Sequence, residues 1–245
     1  MARFQRPAMV VFSPERTLFK PIKEDIREGV KAVAAAVAQE GFYCDTDKLC
    51  AEFAAVASEF WLKREYRPKS RVSSEMIWKY LIALFEIDTK KNPAQLDRIF
   101  SEAACRFQPV DGAGDILELL SNCLVRTAVA ADMPYSAAWM EDAIDASFSG
   151  NMVEFTVCSS EFIYGRDEEK FFEIIKRKAD VPAEDIWYIG SDSVLDVEAA
   201  DRAGMVPFWF RGELPADGIK PPRCDYNSID EWRDFAAIIS DVVRL

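Results

Sequence analysis

The chain contains no histidine, and this absence removes several kinds of catalytic site. An imidazole cannot activate a serine or cysteine nucleophile here, and zinc sites that use imidazole ligands are excluded. Acidic residues outnumber basic residues 42 to 30, which gives a formal net charge of -12. Because a surface of that sign repels phosphate backbones, we expect no nucleic-acid partner.

Long apolar runs and closely paired cysteines are also missing. Apolar runs such as residues 32–38 are far shorter than the roughly 20 residues that a membrane-spanning helix needs. The six cysteines include no CxxC pair and follow no recognisable signal peptide. From these features we expect a reduced, cytoplasmic protein without a membrane segment.

Short apolar runs that alternate with helical patterns predict a parallel α/β core. Residues 8–12 form an apolar run that predicts a buried strand, and this run stops at Ser13. After Pro109 we expect, in chain order, helix 113–121, strand 126–130, helix 136–144, strand 155–158, helix 168–178, strand 186–189, helix 194–203, strand 206–210 and a final helix from Ser228 or Asp230. This alternation is typical of right-handed βαβ units in a Rossmann-like sheet that helices cover on both faces.

Between the first strand and this alternating part lies a block with helical periodicity and almost no strand signal. Residues 22–107 predict roughly four helices, and small polar residues mark their starts. The predicted starts are Asp45 or Thr46, Ser73 or Ser74, and Asn92 before Pro93. We therefore expect an all-helical insertion over residues 21–107 in a core of residues 1–20 and 108–245.

Four loops follow the carboxyl ends of the predicted strands, where ligands bind in an open parallel sheet. They are residues 13–17 (SPERT), 131–134 (ADMP), the segment around Arg166, and 190–196 (GSDSVLD). These loops, with a helical insertion after the first one, resemble the haloacid-dehalogenase-like (HAD-like) superfamily of phosphatases, phosphotransferases and dehalogenases. The resemblance covers essentially the whole chain and implies an α/β, Rossmann-like core with an inserted all-helical cap domain.

The first loop departs from the family pattern Asp-x-Asp-Gly-Thr-Leu at the positions that carry catalysis. Thr17 and Leu18 keep the pattern. Ser13 stands where the family has its nucleophilic aspartate, Glu15 where it has the aspartate that acts as general acid and base, and Arg16 where it has glycine. A serine without a neighbouring base is a weak nucleophile, so these replacements predict impaired catalysis.

The second and third loops differ from the family as well. The family places a Ser or Thr that binds the phosphoryl group where this chain has Ala131, which Asp132 follows. Arg166 stands at the position of the family's lysine. Its planar guanidinium is suited either to a bound anion or to an internal pair with Asp192 or Asp196.

The fourth loop has lost or displaced one carboxylate. The family's Gly-Asp followed by Asp reads here as Gly190, Ser191 and Asp196, with Asp192 one position late. Asp192 is open to two interpretations, as a metal ligand or as the cap of the helix that starts near Val194.

Magnesium, which screens charge in the family, is therefore not expected as a resident cofactor. Mg2+ is usually bound through one or two carboxylates, and the family positions for them hold Ser13 and Ser191. Glu15, Asp192 and Asp196 remain as alternative oxygen donors.

The sequence thus predicts a HAD-like pseudoenzyme that keeps a pocket for a small anionic ligand or binds a protein partner. One alternative is an active, phosphatase-like hydrolase of a small phosphorylated or anionic substrate with Mg2+. Another is a scaffold acting through the cap surface, where the basic stretch 63–71 is either solvated or binds an acidic partner. The candidate residues are Ser13 and Glu15 for catalysis, Thr17, Ala131, Asp132, Arg166 and Ser191 for ligand binding, and Asp192 and Asp196 for metal.

Overall fold

A six-stranded parallel sheet forms the centre of the computed structural model, which describes residues 5–20, 23–62, 72–148, 152–162, 164–215 and 219–243. Numbered along the chain, its strands are β1 (Met9–Phe12), β4 (Arg126–Ala131), β5 (Phe155–Cys158), β6 (Ile186–Gly190), β7 (Val206–Phe210) and β8 (Asn227–Ile229). Their spatial order is β5-β4-β1-β6-β7-β8, and all neighbours run parallel. The predicted α/β core is confirmed.

Helices cover both faces of the sheet because successive strand side chains point in opposite directions. These helices are α5 (Ala113–Asn122), α6 (Ala137–Ser147), α7 (Glu169–Ala179), α8 (Ala199–Arg202) and α9 (Trp232–Val243). Val10 and Phe12 of β1 belong to a buried cluster with α5, α6 and α9. Met9 and Val11 belong to a second cluster with α7 and α8.

The segment between β1 and α5 is mostly helical. Its helices are α1 (Ile26–Ala38), α2 (Thr46–Ala57), α3 (Ser74–Leu84) and α4 (Pro93–Ala104), and a π-helical turn, Ser58–Leu62, extends α2. Asp45, Ser73 and Asn92 cap α2, α3 and α4 by accepting hydrogen bonds from backbone amides of the first turn. These starts were among those predicted, whereas the basic stretch 63–71 lies outside the described residues.

Two very short strands join the ends of this helical segment. Strand β2 (Lys23–Glu24) precedes α1 and pairs antiparallel with β3 (Cys105–Arg106), which follows α4. The sequence gives almost no strand signal here because two residues are too few to show an alternating pattern. The pair brings the entry and exit of the helical segment together.

The C-terminal region differs from its predicted helix. Ser228 lies in β8, which pairs with β7, and α9 begins only at Trp232. Three residues carry too little pattern to identify a strand, and pairing with β7 prevails over helix propensity there. No described helix combines the length and apolar character that a bilayer crossing requires.

Candidate functional site

The candidate site lies where the strand order reverses around β1. Strand β1 sits between β4 and β6, so the residues after these three strands share one edge of the sheet. Ser13 follows β1, Asp132 follows β4 and Ser191 follows β6. The structure therefore brings the loop after β1 together with two loops that lie more than a hundred residues later in the sequence.

The loop after β1 is held by its own backbone. The Pro14 carbonyl accepts hydrogen bonds from the amides of Thr17, Leu18 and Phe19, and the Thr17 hydroxyl donates to the Ser13 carbonyl. Through these contacts the fully buried Thr17 stabilises the conformation of the loop.

Two further amides of this loop also have backbone partners. The Ser13 amide donates to the Ile189 carbonyl over 2.9 Å, and the Arg16 amide donates to the Phe19 carbonyl over 2.5 Å. These amides and that of Thr17 are therefore engaged within the protein and do not form an anion-binding nest.

Arg16 adopts a backbone φ of 63°, in the left-handed region. The glycine of the family pattern would adopt that conformation without strain, whereas for a residue with a Cβ the conformation is energetically unfavourable.

Arg166 is the central residue of the site. Its Nη1 donates to Asp196 Oδ1 over 2.7 Å and to Ser13 Oγ over 3.1 Å. Its Nε lies 3.8 Å from Asp132 Oδ2. The Arg166 side chain is 13% exposed, and the side chains of Asp132 and Asp196 are 1% and 0% exposed. Of its two sequence-based interpretations, the structure shows the internal pair, with Asp196.

Protonation of Arg166 is secured by its surroundings. Burial alone would lower the pKa of the guanidinium, but the charge of Asp196, the Tyr188 hydroxyl and the charge of Asp132 raise it above its ordinary value. The guanidinium is therefore a permanent cation that cannot accept a proton from Ser13.

Both carboxylate oxygens of Asp196 are engaged within the protein. Oδ2 accepts hydrogen bonds from the amides of Ser191 and Asp192, at 3.1 and 2.9 Å. Oδ1 accepts from Arg166 and, at 3.4 Å, from the Tyr188 hydroxyl.

The close approach of Asp196 to the end of β6 requires glycine at position 190. A Cβ added to Gly190 would lie 2.2 Å from the Asp196 Cβ, far inside van der Waals contact.

The other acidic-loop residues have structural partners. Asp192 Oδ1 accepts from the amides of Val194 and Leu195 at 2.9 and 2.8 Å, which makes it the cap of the following helical segment. The Ser191 hydroxyl donates to the Glu15 carbonyl over 3.2 Å. This last hydrogen bond joins the fourth loop to the first.

The remaining predicted residues are less closely engaged. The Glu15 side chain is 48% exposed, and its carboxylate lies 3.9 Å from Arg16 Nε. Ala131 ends β4 and is buried in the hydrophobic cluster, where its methyl group offers no hydrogen bond.

These donors do not fit a magnesium ion. Asp196 is bonded to a guanidinium and two amides, Asp192 caps a helix, and the hydroxyls of Ser13 and Ser191 have protein partners. Within the described part of the chain, no group of three or more cysteine, aspartate or glutamate side chains is placed to hold a metal ion. A divalent ion at Asp196 would also have to displace the Arg166 cation.

A cavity of about 620 Å³ opens beside Ser13, between the sheet edge and the helical segment. Its walls come from the loops after β1 and β4, from Arg166, and from the start of α1 and the end of α2 with its π-helical turn. Its lining residues include Ser13, Glu15, Glu24, Asp25, Trp61, Asp132, Tyr135 and Arg166. That volume lies within the roughly 300–1,000 Å³ of small-molecule sites.

Sequence reasoning missed two groups of residues at this site. Tyr188 lies inside the apolar strand β6, and its only signal was a hydroxyl in a buried run that ends at Gly190. Glu24 and Asp25 reach the cavity from the entry of the helical segment, more than a hundred residues before Asp132. Their spacing along the chain does not predict that they share a cavity with Asp132.

Comparison with known proteins finds likeness only at the level of structure. No family model matches the chain, and no curated protein matches it. A 2-haloacid dehalogenase from Pseudomonas syringae pv. Tomato matches with a TM-score of 0.59 at 15% identity, covering 97% of this chain and 99% of that chain. The putative HAD-hydrolase YfnB from Bacillus subtilis, which was solved bound to magnesium, matches with a TM-score of 0.56 at 14% identity, covering 96% and 99%.

A HAD phosphatase from Thermococcus onnurineus is similar to the same degree. Its TM-score is 0.56 at 14% identity, and the match covers 97% of this chain and 99% of that chain. At such identities the likeness shows the fold alone. The chain has the HAD-like fold, and the fold resemblance predicted from the sequence is confirmed.

Proposed function

We propose that this HAD-fold chain is a pseudoenzyme, a ligand-binding protein without the hydrolase chemistry associated with its fold. The observation that carries the proposal is the position of Arg166, which bonds both to Ser13 at the nucleophile position and to Asp196 in the acidic loop. Arg166 thus occupies the Ser13 hydroxyl through a hydrogen bond and the Asp196 carboxylate through an ion pair. In an active hydrolase of this fold, these two positions would face the substrate and the metal.

Ser13 lacks the partner that a serine nucleophile needs. Among the described residues, its hydroxyl oxygen has one side-chain partner, the Arg166 guanidinium, which is a donor and not a base. Glu15, the residue at the general-acid and general-base position, points a half-exposed carboxylate toward Arg16. Neither residue is arranged to deliver a proton to a leaving group or take one from the serine.

The pocket, by contrast, is retained. The helical segment over residues 21–107 would act as a cap above the cavity, and the core of residues 1–20 and 108–245 would form its floor. In this proposal the protein works in the cytoplasm and needs no Mg2+, although YfnB is magnesium-bound. A protein partner of the cap surface stays a prediction from the sequence.

Hydrolase assays test this proposal. The purified protein, supplied with Mg2+, is offered p-nitrophenyl phosphate and 2-chloropropionate, and we expect no turnover above that of buffer. The alternative hydrolase, in which Glu15, Asp192 and Asp196 act with Mg2+, predicts turnover that disappears in Glu15→Gln. Turnover of either substrate that Ser13→Ala or Glu15→Gln abolishes would contradict the pseudoenzyme.

A further inference from the structure

A contact between the helical segment and the core lies beside the cavity, at the first turn of α3. The Ser74 amide and the Ser74 hydroxyl both donate hydrogen bonds to the Pro134 carbonyl, over 3.0 and 3.1 Å. Ser74 is fully buried, and Pro134 lies in the loop after β4, which forms part of the cavity wall. This Ser74–Pro134 contact therefore holds the start of α3 on the wall of the cavity.

Asp97 of α4 is a second partner of the Ser74 hydroxyl. Its carboxyl group is hydrogen-bonded to Ser74, and the residue is 4% exposed. Its Oδ1 atom is buried and has no hydrogen-bond partner among the described residues. An ionised carboxylate in these surroundings would be a buried charge with incomplete hydrogen bonding, so the surroundings favour the protonated form.

The single proton of the Ser74 hydroxyl determines which protonation state this arrangement needs. A carbonyl oxygen can only accept, so the 3.1 Å bond to Pro134 uses the hydroxyl proton. Ser74 Oγ then has only lone pairs to offer Asp97, and the hydrogen bond between them needs a proton from the carboxyl group. The chain of hydrogen bonds from Asp97 through Ser74 to Pro134 is therefore complete when Asp97 is protonated.

Loss of the Asp97 proton reverses the direction of this chain. An ionised carboxylate can only accept, so the Ser74 hydroxyl donates its proton to Asp97. Ser74 Oγ and the Pro134 oxygen, which are 3.1 Å apart, then face each other with lone pairs and repel. The Ser74 amide alone remains to hold Ser74 to the Pro134 carbonyl.

The proton on Asp97 is lost in the range between acid and neutral pH. Burial raises the pKa of Asp97 to about 6, against the opposing effect of the hydrogen bond with Ser74. The charge of Glu75 on α3, which is paired with Lys79 over 2.7 Å, raises it further. Cys105 of β3 stays neutral, because burial raises the pKa of its thiol to about 12. The buried face of α1, which packs against α4, consists of Gly29, Val30, Val33, Ala34 and Val37.

We propose that the proton on Asp97 controls the Ser74–Pro134 contact and, through it, access to the cavity beside Ser13. In acid the contact is complete, and the start of α3 is held on the cavity wall. As the pH rises toward neutrality Asp97 ionises, the contact weakens, and the helical segment opens more readily from the loop after β4. This regulation goes beyond the pseudoenzyme assignment and does not depend on the chemistry at Ser13.

Hydrogen exchange measured by NMR tests the contact, because the Ser74 amide is one of its donors. The Ser159 amide, which donates to the Ala131 carbonyl in the core, reports opening of the core itself. After correction for the intrinsic effect of pH on exchange, we expect the protection of Ser74 relative to Ser159 to fall about 3- to 10-fold between pH 5 and pH 7, the factor that corresponds to one lost hydrogen bond. An unchanged ratio overturns the proposal.

Three variants test the path of the proton. Asp97→Asn keeps a donor toward Ser74 but cannot ionise, and Ser74→Ala keeps the amide but has no hydroxyl, so in both the protection ratio should be the same at pH 5 and pH 7. Ser101→Ala is the matched control, because it removes another buried hydroxyl, one that donates to the Asp97 carbonyl, and leaves the Asp97 carboxyl group in place. It should keep the pH response of the parent. A response as large as that of the parent in Asp97→Asn or Ser74→Ala refutes the proposal.

Access to the cavity is followed through Trp61, whose side chain lines it. Acrylamide quenching of the parent is compared with that of Trp61→Phe, and the difference isolates the fluorescence of Trp61. We expect quenching of Trp61 to increase from pH 5 to pH 7 in the parent and to stay constant in Asp97→Asn. Equal quenching of Trp61 at the two pH values in the parent would mean that Asp97 does not control access, which refutes the proposal.

Discussion

Replacing Arg166 with methionine is expected to destabilise the protein because the change leaves Asp196 buried without its cation. The Asp196 side chain has 0% exposure, and Arg166 Nη1 lies 2.7 Å from its Oδ1. Removing one partner of a buried ion pair costs about 3–5 kcal/mol. Since each kcal/mol lowers Tm by about 2–4 °C in a chain of this size, we expect a fall of about 6–20 °C.

A double-mutant cycle separates the pair from its surroundings. Arg166→Met and Asp196→Asn are each expected to be strongly destabilising in urea unfolding followed by tryptophan fluorescence. The double variant removes both charges, so its loss should fall short of the sum by about 1.5 kcal/mol or more.

An exposed ion pair supplies the control for this cycle. Arg211 and Asp230 form a two-pronged pair with side chains 45% and 60% exposed. Arg211→Met should therefore cost less than about 1 kcal/mol. A loss at Arg166 no larger than this, or additive losses in the cycle, would mean that Arg166 and Asp196 do not form a stabilising buried pair.

Three further predictions concern single positions. Asp97 is 4% exposed, and burial raises the pKa of its carboxyl to about 6. In the unfolded chain this carboxyl loses its proton near pH 4. The free energy of unfolding of the parent protein should therefore fall by about 2–3 kcal/mol as the pH rises from 4 to 6. Urea unfolding of Asp97→Asn should lack that loss, and an unchanged pH profile would contradict the burial argument. Gly190→Ala, which brings a Cβ to 2.2 Å from the Asp196 Cβ, should lower the free energy of unfolding by about 2 kcal/mol or more, and a neutral effect would count against the close packing. Arg16→Gly relieves a φ of 63° and should raise stability by up to about 1 kcal/mol in thermal unfolding, whereas a loss would mean that the Arg16 side chain contributes more than its backbone conformation costs.

Most of the core fold was predictable because its elements are long enough to show a period. The run that contains Met9–Phe12 is continuously buried and apolar, as a central parallel strand must be. Asp45, Ser73 and Asn92 stand where side-chain oxygens satisfy first-turn amides, so the starts of three helices were readable. The pair β2–β3 and the strand β8 were not, because two or three residues are too short for a pattern.

The position of the candidate site could be predicted from the sequence, but the hydrogen bonds between its side chains could not. Ser13, Arg166, Ser191 and Asp196 do meet at the sheet edge, because the carboxyl ends of parallel strands share an edge. Whether Arg166 faces a ligand or Asp196 depends on side-chain geometry that spacing does not encode. The hydrogen bond from the Tyr188 hydroxyl to Asp196 likewise could not be predicted from the sequence.

A crystal structure of the protein grown in millimolar Mg2+ shows which cation Asp196 holds. We expect the Arg166 guanidinium to remain between Ser13 and Asp196, with no metal ion in contact with either residue. Mg2+ coordinated by Asp196, with Arg166 turned away from it, would mean that the internal ion pair does not exclude the metal.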